Sequence, residues 1–202
     1  MRRLFAFAGL VGLLSAASAQ PPAEVKLDPQ YGVPGNTRVY PQTDPKAALA
    51  SAVKAIEAGR YDYLVAHLLD QAFVEGRIDE RAKQIEPAAE ADLRALRQRQ
   101  KQDVTLDKRL QLPDDPTAFA ERVKQEARAR AFRQVVRDVQ DKLTEDPAIL
   151  KELRRFLREG EVVPEGTTAR IALKDLKDRQ VFLKKTGDRW FVENRQQAEE
   201  KK

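Results

Sequence analysis

Apolar residues recur at helical spacing over most of this chain, and the period changes near its C-terminus. Leu49, Ala52, Val53 and Ile56 fall at i, i+3, i+4 and i+7, which predicts an amphipathic helix over about 45–58. Gly59 suits the left-handed position that ends it. Within YDYLVAHLLD, Leu64, Val65, Leu68 and Leu69 predict the inner face of a second, short helix. Phe73, Val74, Ile78 and Ile85 predict a further helix, interrupted near Pro87. From 87 to 102 only Leu93 and Leu96 are large and apolar, so a helix there projects or packs by one edge. VTLDKRLQL after it fits a loop and a short strand equally. Phe132, Val135, Val136, Val139 and Leu143 predict a long helix from about 116 to 143. Ile149, Leu153, Phe156 and Leu157 predict another that stops at Gly160. Asp44-Pro45, Asp115-Pro116 and Asp146-Pro147 each precede a helical pattern. Asp caps the free amides of a first turn, and Pro at the first helical position forfeits an N–H that has no partner there.

After Gly160 the period becomes two. Ala169, Ile171 and Leu173 alternate with polar neighbours, as do Val181 with Leu183 and Trp190 with Val192. KTGDR between the last two runs supplies a hairpin turn around Gly187. Three antiparallel strands follow, with Ile171, Leu173, Val181, Leu183, Trp190 and Val192 on one face. Phe182, Lys184, Phe191 and Glu193 take the other. A ribbon of this size needs a helical cover, so Trp190 is read as the large residue filling a helix–sheet core. The expected class is α+β: N-terminal helices packed on a C-terminal antiparallel sheet of about three strands, with a long helical insertion.

The ends add organisation. Arg2 and Arg3, the apolar run Leu4–Leu14 and Ala17-Ser18-Ala19 have the layout of a signal peptide over 1–19. The expectation is an exported protein, periplasmic or secreted. Residues 20–43, with five prolines, read as a disordered lead. Residues 44–195 read as one domain, 79–143 as its helical insertion, and 196–202 as a charged tail. The chain has no Cys. Removing two arginines with the signal lowers the formal charge from +5 to +3, too small an excess for a strong polyanion signature.

Two stretches carry a resemblance. AALASAVKAIEAGRYDYLVAHLLD and the closing GDRWFVEN resemble the opening helices and last hairpin of small exported members of the nuclear transport factor 2-like (cystatin-like cone) superfamily. The likeness covers about 44–75 and 145–195. It implies a cone with a pocket between helices and sheet, and no particular chemistry. Three strands depart from that sheet, which usually has four or more. The stretch from Asp44 also looks like one tetratricopeptide-type helix pair, which implies an adaptor, but no second copy of the unit follows.

The candidate chemistry is sparse. His67 is the only histidine. On a regular helix Tyr63 and Asp70 share an edge with it, and an Asp–His pair in a cone pocket is what enzymes of the resembled superfamily use. His67 lies at the border of the apolar face, so the bland expectation is a partly exposed side chain, cheap to replace. Tyr63, His67, Asp70 and Trp190 form the candidate pocket. No metal and no cofactor are expected: zinc sites draw on Cys and His, no calcium-loop spacing occurs, and phosphate loops are absent. Ser51, the one serine after the signal, lies in a helix rather than a nucleophile turn. Arg94, Arg97 and Lys101 fall at i, i+3 and i+7, and Arg130, Arg133 and Arg137 repeat that spacing. If their helices form a hairpin, both stripes can face an anionic cell-envelope polymer. Glu90, Asp92, Glu121, Glu126 and Asp138 support the alternative of a solvated face. Nucleic acid is not expected, because no aromatics interleave for base stacking. The reading is an exported, non-catalytic domain with a binding or structural role. Its alternatives are a helical adaptor for protein partners and a cone-fold enzyme using an Asp–His pair.

Overall fold

The computed structural model describes residues 27–102 and 112–195. Helix α1 spans Pro45–Glu57. The short α2, Tyr61–Tyr63, runs into a π-helical turn at Leu64–Leu68. Helices α3 (Gln71–Gln102) and α4 (Pro116–Glu145) pair as a long hairpin, and α5 is Pro147–Glu159. Strands β1 (Glu161–Glu165), β2 (Thr168–Leu173), β3 (Leu176–Thr186) and β4 (Arg189–Val192) follow. They form an antiparallel meander in the order β1-β2-β3-β4.

All three Asp-Pro signals are helix starts. The carboxylates of Asp44, Asp115 and Asp146 accept from the amides of Ala47, Ala118 and Ala148 at 2.9, 2.7 and 3.0 Å. Gly160 ends α5 where a Cβ would collide with Ile171 and the Phe156 carbonyl, so only glycine lets the chain turn that tightly onto β2.

The hairpin register pairs Ile171 with Val181, Ala169 with Leu183, and Leu183 with Val192. Opposed residues share a face, so the Trp190 parity predicted from alternation is the one observed. Trp190 packs with Leu49, Val53, Phe156, Ile171, Leu173, Val181 and Leu183 in a core between sheet and helices α1 and α5. The opposite flank of α1 (Ala52, Ala55, Ile56) belongs to a second core with the Tyr63–Leu68 segment and with Val74, Ile78, Ala127, Ala131, Phe132 and Val135 of the hairpin. Phe182 and Phe191 are buried as well, on the other side of the ribbon. Their rings are covered by the guanidiniums of Arg195 and Arg189, at 5.1 and 4.9 Å.

Four readings are corrected. The sheet has four strands, because β1 (EVVPE) does not alternate and contains Pro164, which an edge strand tolerates. Helix α3 runs unbroken through Pro87; burial of Ala82, Ala89 and Leu93 on either side of it outweighs the roughly 3 kcal/mol that an interior proline costs. Residues 27–43 are not a structureless lead but a strap laid over the helices. Tyr31 and Gly32 both take positive φ (52° and 78°), making a tight turn closed by Gln30 and Val33. The Tyr31 ring then stacks on Phe132 at 4.6 Å and Tyr40 on Tyr63 at 4.3 Å. Finally, His67 is not at a border: it is 1% exposed. A π-helical turn widens the backbone beyond the 3.6-residue period, and the strap covers what would have been its outer side. The two ends of the chain and VTLDKRLQL up to Gln111 lie outside the described residues.

Truncating the core aromatic tests this arrangement. Trp190→Ala should cost roughly 3–5 kcal/mol in urea unfolding, and the wild-type Trp emission should be blue-shifted and resist iodide quenching. A water-like, readily quenched emission from the folded protein contradicts the packing.

Candidate functional site

The polar chemistry of the interior gathers where the strap, the π-helical turn and β4 meet. Gln42 is 3% exposed although its neighbours Pro41 and Thr43 are both exposed. Its carbonyl accepts the Trp190 amide at 3.0 Å. Its side-chain Nε2 donates to the Trp190 carbonyl at 2.7 Å and to the His67 carbonyl at 3.1 Å. Its Oε1 accepts from Arg189 Nε at 3.0 Å, and Arg189 also donates to the His67 carbonyl at 3.1 Å. Burial holds the Arg189 guanidinium below the ordinary arginine range, with Gln42 Oε1 and a carbonyl, rather than a carboxylate, as its partners here.

His67 stands beside this knot. Its Nε2 lies 2.9 Å from the Val33 carbonyl. A carbonyl only accepts, so Nε2 carries the hydrogen. Its Nδ1 is buried without a hydrogen-bond partner among the described residues. The ring sits 4.8 Å from that of Tyr63, whose hydroxyl accepts the Asn36 amide at 2.9 Å. Burial pushes the imidazole pKa down from its ordinary 6.5, and Arg189 adds to the effect; the Val33 contact and Asp62 oppose it.

Of the four candidate pocket residues, the structure brings Tyr63 and His67 into contact. Asp70 turns away to pair with Lys184 at 3.6 Å and lines a separate recess of about 330 Å³ with Phe73, Glu193, Asn194 and Arg195. The Trp190 ring lies in the sheet core. Neither described recess is lined by His67 or Trp190. An Asp–His pair is therefore not assembled: the His67 Nε2 is committed to a carbonyl and Asp70 to a lysine.

The larger recess, about 580 Å³, opens at the distal end of the α3–α4 hairpin. Its floor is Phe119 and Val123, which pack with Leu93 and Leu112 in a small cluster of their own. Its walls carry Glu86, Glu90, Arg94, Arg97 and Lys101. Arg97 lies over the Phe119 ring at 5.3 Å and donates to the Asp114 carboxylate at 2.9 Å. Arg94 donates to Glu90 at 2.6 Å. Of the second stripe, Arg130 is held by Asp92 and Glu126 at 2.6 and 2.9 Å, and Arg133 approaches Glu126 at 3.5 Å; neither lines the groove, nor does the exposed Arg137. The hairpin forms, but only the first stripe shares a recess.

Gln42, Arg189 and the Val33 carbonyl escaped sequence reasoning. A signal was present: Tyr31, Val33, Val39 and Tyr40 make the lead more apolar than a free linker. Comparison with protein-family models, with curated proteins and with solved structures finds no match to this chain.

Two outcomes test the knot. Gln42→Ala strands a carbonyl on Trp190 and a guanidinium on Arg189, and should cost about 2–4 kcal/mol in urea unfolding. A change within about 0.5 kcal/mol contradicts the clamp. For His67 the folded-state pKa is below the unfolded value. Stability is therefore complete above about pH 6.5 and falls as the pH drops from there through the folded-state pKa, where the unfolded chain binds the proton that the folded one resists. The slope approaches ~1.4 kcal/mol per pH unit. His67→Gln should remove this slope while lowering stability at pH 7 by about 1–3 kcal/mol. Identical pH profiles for the two proteins refute the assignment.

Proposed function

We propose that this is an exported, non-catalytic binding domain whose contact surface is the groove at the tip of the α3–α4 hairpin, and that it engages a protein segment. The observation that carries this reading is the groove itself. A helical arm builds a private apolar cluster at its far end and opens beside it a recess with an apolar floor and walls of both charge signs. Sites of this make-up suit a partner with apolar and charged side chains in register. A polyanion is less well served, since Glu86 and Glu90 stand on the same wall as Arg94, Arg97 and Lys101 and would repel it.

The rest of the molecule reads as the base of that arm. Two cores share α1, and the Gln42 knot closes the sheet. Export rests on the pattern of residues 1–19. The likeness to the cone superfamily stays an expectation about fold, and no ligand follows from it.

Placing a photo-cross-linking aromatic at exposed Ala120, on the groove wall, checks the reading in the native envelope. The expected product is a discrete protein adduct at Ala120 and none from the same probe at exposed Arg179 on β3. Equal labelling at both positions, or none at Ala120, defeats it.

A further inference from the structure

The charges of the groove have an internal order. Along α3 they run Glu86, Glu90, then Arg94, Arg97, Lys101. Spacings of four, four, three and four residues keep all five on one face. The acidic end points toward the body of the hairpin and the basic end toward its tip. A face of this kind is complementary to itself when turned end for end. With a two-fold axis crossing α3 between Leu93 and Arg94, Glu86 of one copy meets Lys101 of the other, and Glu90 meets Arg97. Both pairs then occur twice, as a two-fold interface requires.

We infer that the groove's partner is a second copy of this chain, docked antiparallel through α3 so that the two hairpins form a four-helix bundle. This rests on the groove being the contact surface; it adds the identity of the occupant. Three features support it. The face is balanced: Asp114, bound to Arg97 at 2.9 Å, joins Glu86 and Glu90 against three cations. Exposed Ala120 and Pro116 line the same recess over the buried Phe119 and Val123, so each copy brings a small apolar surface as well as charge. The present partners are easily exchanged. The Arg94–Glu90 pair lies on one helix with 69% and 42% exposure, and Asp114, the carboxylate held by the 26% exposed Arg97, is 91% exposed. Such pairs hold little energy.

From Glu86 to Lys101 the contact is about 22 Å long at 1.5 Å per residue. That is a small interface, at the weak end for specific association. Its charge pairs remain near solvent and are screened by salt. The dimer should therefore be concentration-dependent and salt-sensitive, with charge setting partner choice and register.

Charge-swapped variants test the pairing by sedimentation equilibrium on the full chain after export, each first confirmed as folded by circular dichroism. Wild type should shift from monomer to dimer with concentration in low salt, and high salt should weaken the dimer roughly tenfold. Glu86→Lys/Glu90→Lys and Arg97→Glu/Lys101→Glu should each remain monomeric, and an equimolar mixture of the two should give a heterodimer. Ala120→Trp, which changes bulk without charge, should also abolish self-association. Wild type that stays monomeric throughout, charge variants that dimerise as well as wild type, or a mixture that does not associate overturns the inference. If the Ala120 cross-link still captures a different protein in those cases, the groove remains a binding surface and only the second copy is excluded.

Discussion

The side chain of Gln42 closes the sheet. Strand β4 is four residues long and comes last in the meander, so one of its edges has no further strand to pair with. Unpaired main-chain groups at a buried edge are costly. Gln42 answers Trp190 on both counts, accepting its N–H through a main-chain carbonyl and donating to its C=O through the amide. The Asp70 amide donates to the Val192 carbonyl at 2.9 Å. Only a group with both a donor and an acceptor suits the rest of the role. The amide nitrogen must reach two carbonyls while its oxygen meets Arg189. A glutamate there would have no hydrogen to give.

Closing the sheet in this way commits the strap and the π-helical turn to one arrangement. The His67 carbonyl is taken up by Gln42 and Arg189, and its imidazole by Val33. Residues from three distant parts of the chain thus satisfy one another in a region from which water is largely excluded. Such networks are cooperative, and a half-satisfied one is worse than an apolar core. Of the His67 ring nitrogens, Nε2 is committed to the Val33 carbonyl, while Nδ1 has no hydrogen-bond partner among the described residues.

The hairpin beyond this base obeys different rules. Small residues, Ala82, Ala89, Ala127 and Ala131, let α3 and α4 approach closely. Exposed ion pairs such as Arg81 with Asp138, Arg128 with Asp79 and Arg130 with Asp92 tie the helices along their sides. Individually these pairs contribute little; together they bias the register in which the helices lie side by side. The groove at the tip follows from that register, because Phe119 and Val123 fill only part of the space beside Leu93.

What the sequence by itself determined is local: the three Asp-Pro helix starts, the shift from a period of 3.6 to one of 2, the glycine that ends α5, and the face of the ribbon that carries Trp190. Each depends on neighbours a few residues away, where period and capping chemistry act directly. The α+β class followed from summing them. Tertiary structure alone decided the rest. Burial on both sides carried α3 through Pro87, and a meander supplied a partner for the non-alternating β1. The covering strap and a π-helical turn took His67 from the border of a face to the interior. Gln42 and Trp190 are 148 residues apart, and no periodicity carries over that distance. Their pairing exists because a buried edge strand must find its hydrogen bonds somewhere, and the folded chain brings Gln42 within reach of them.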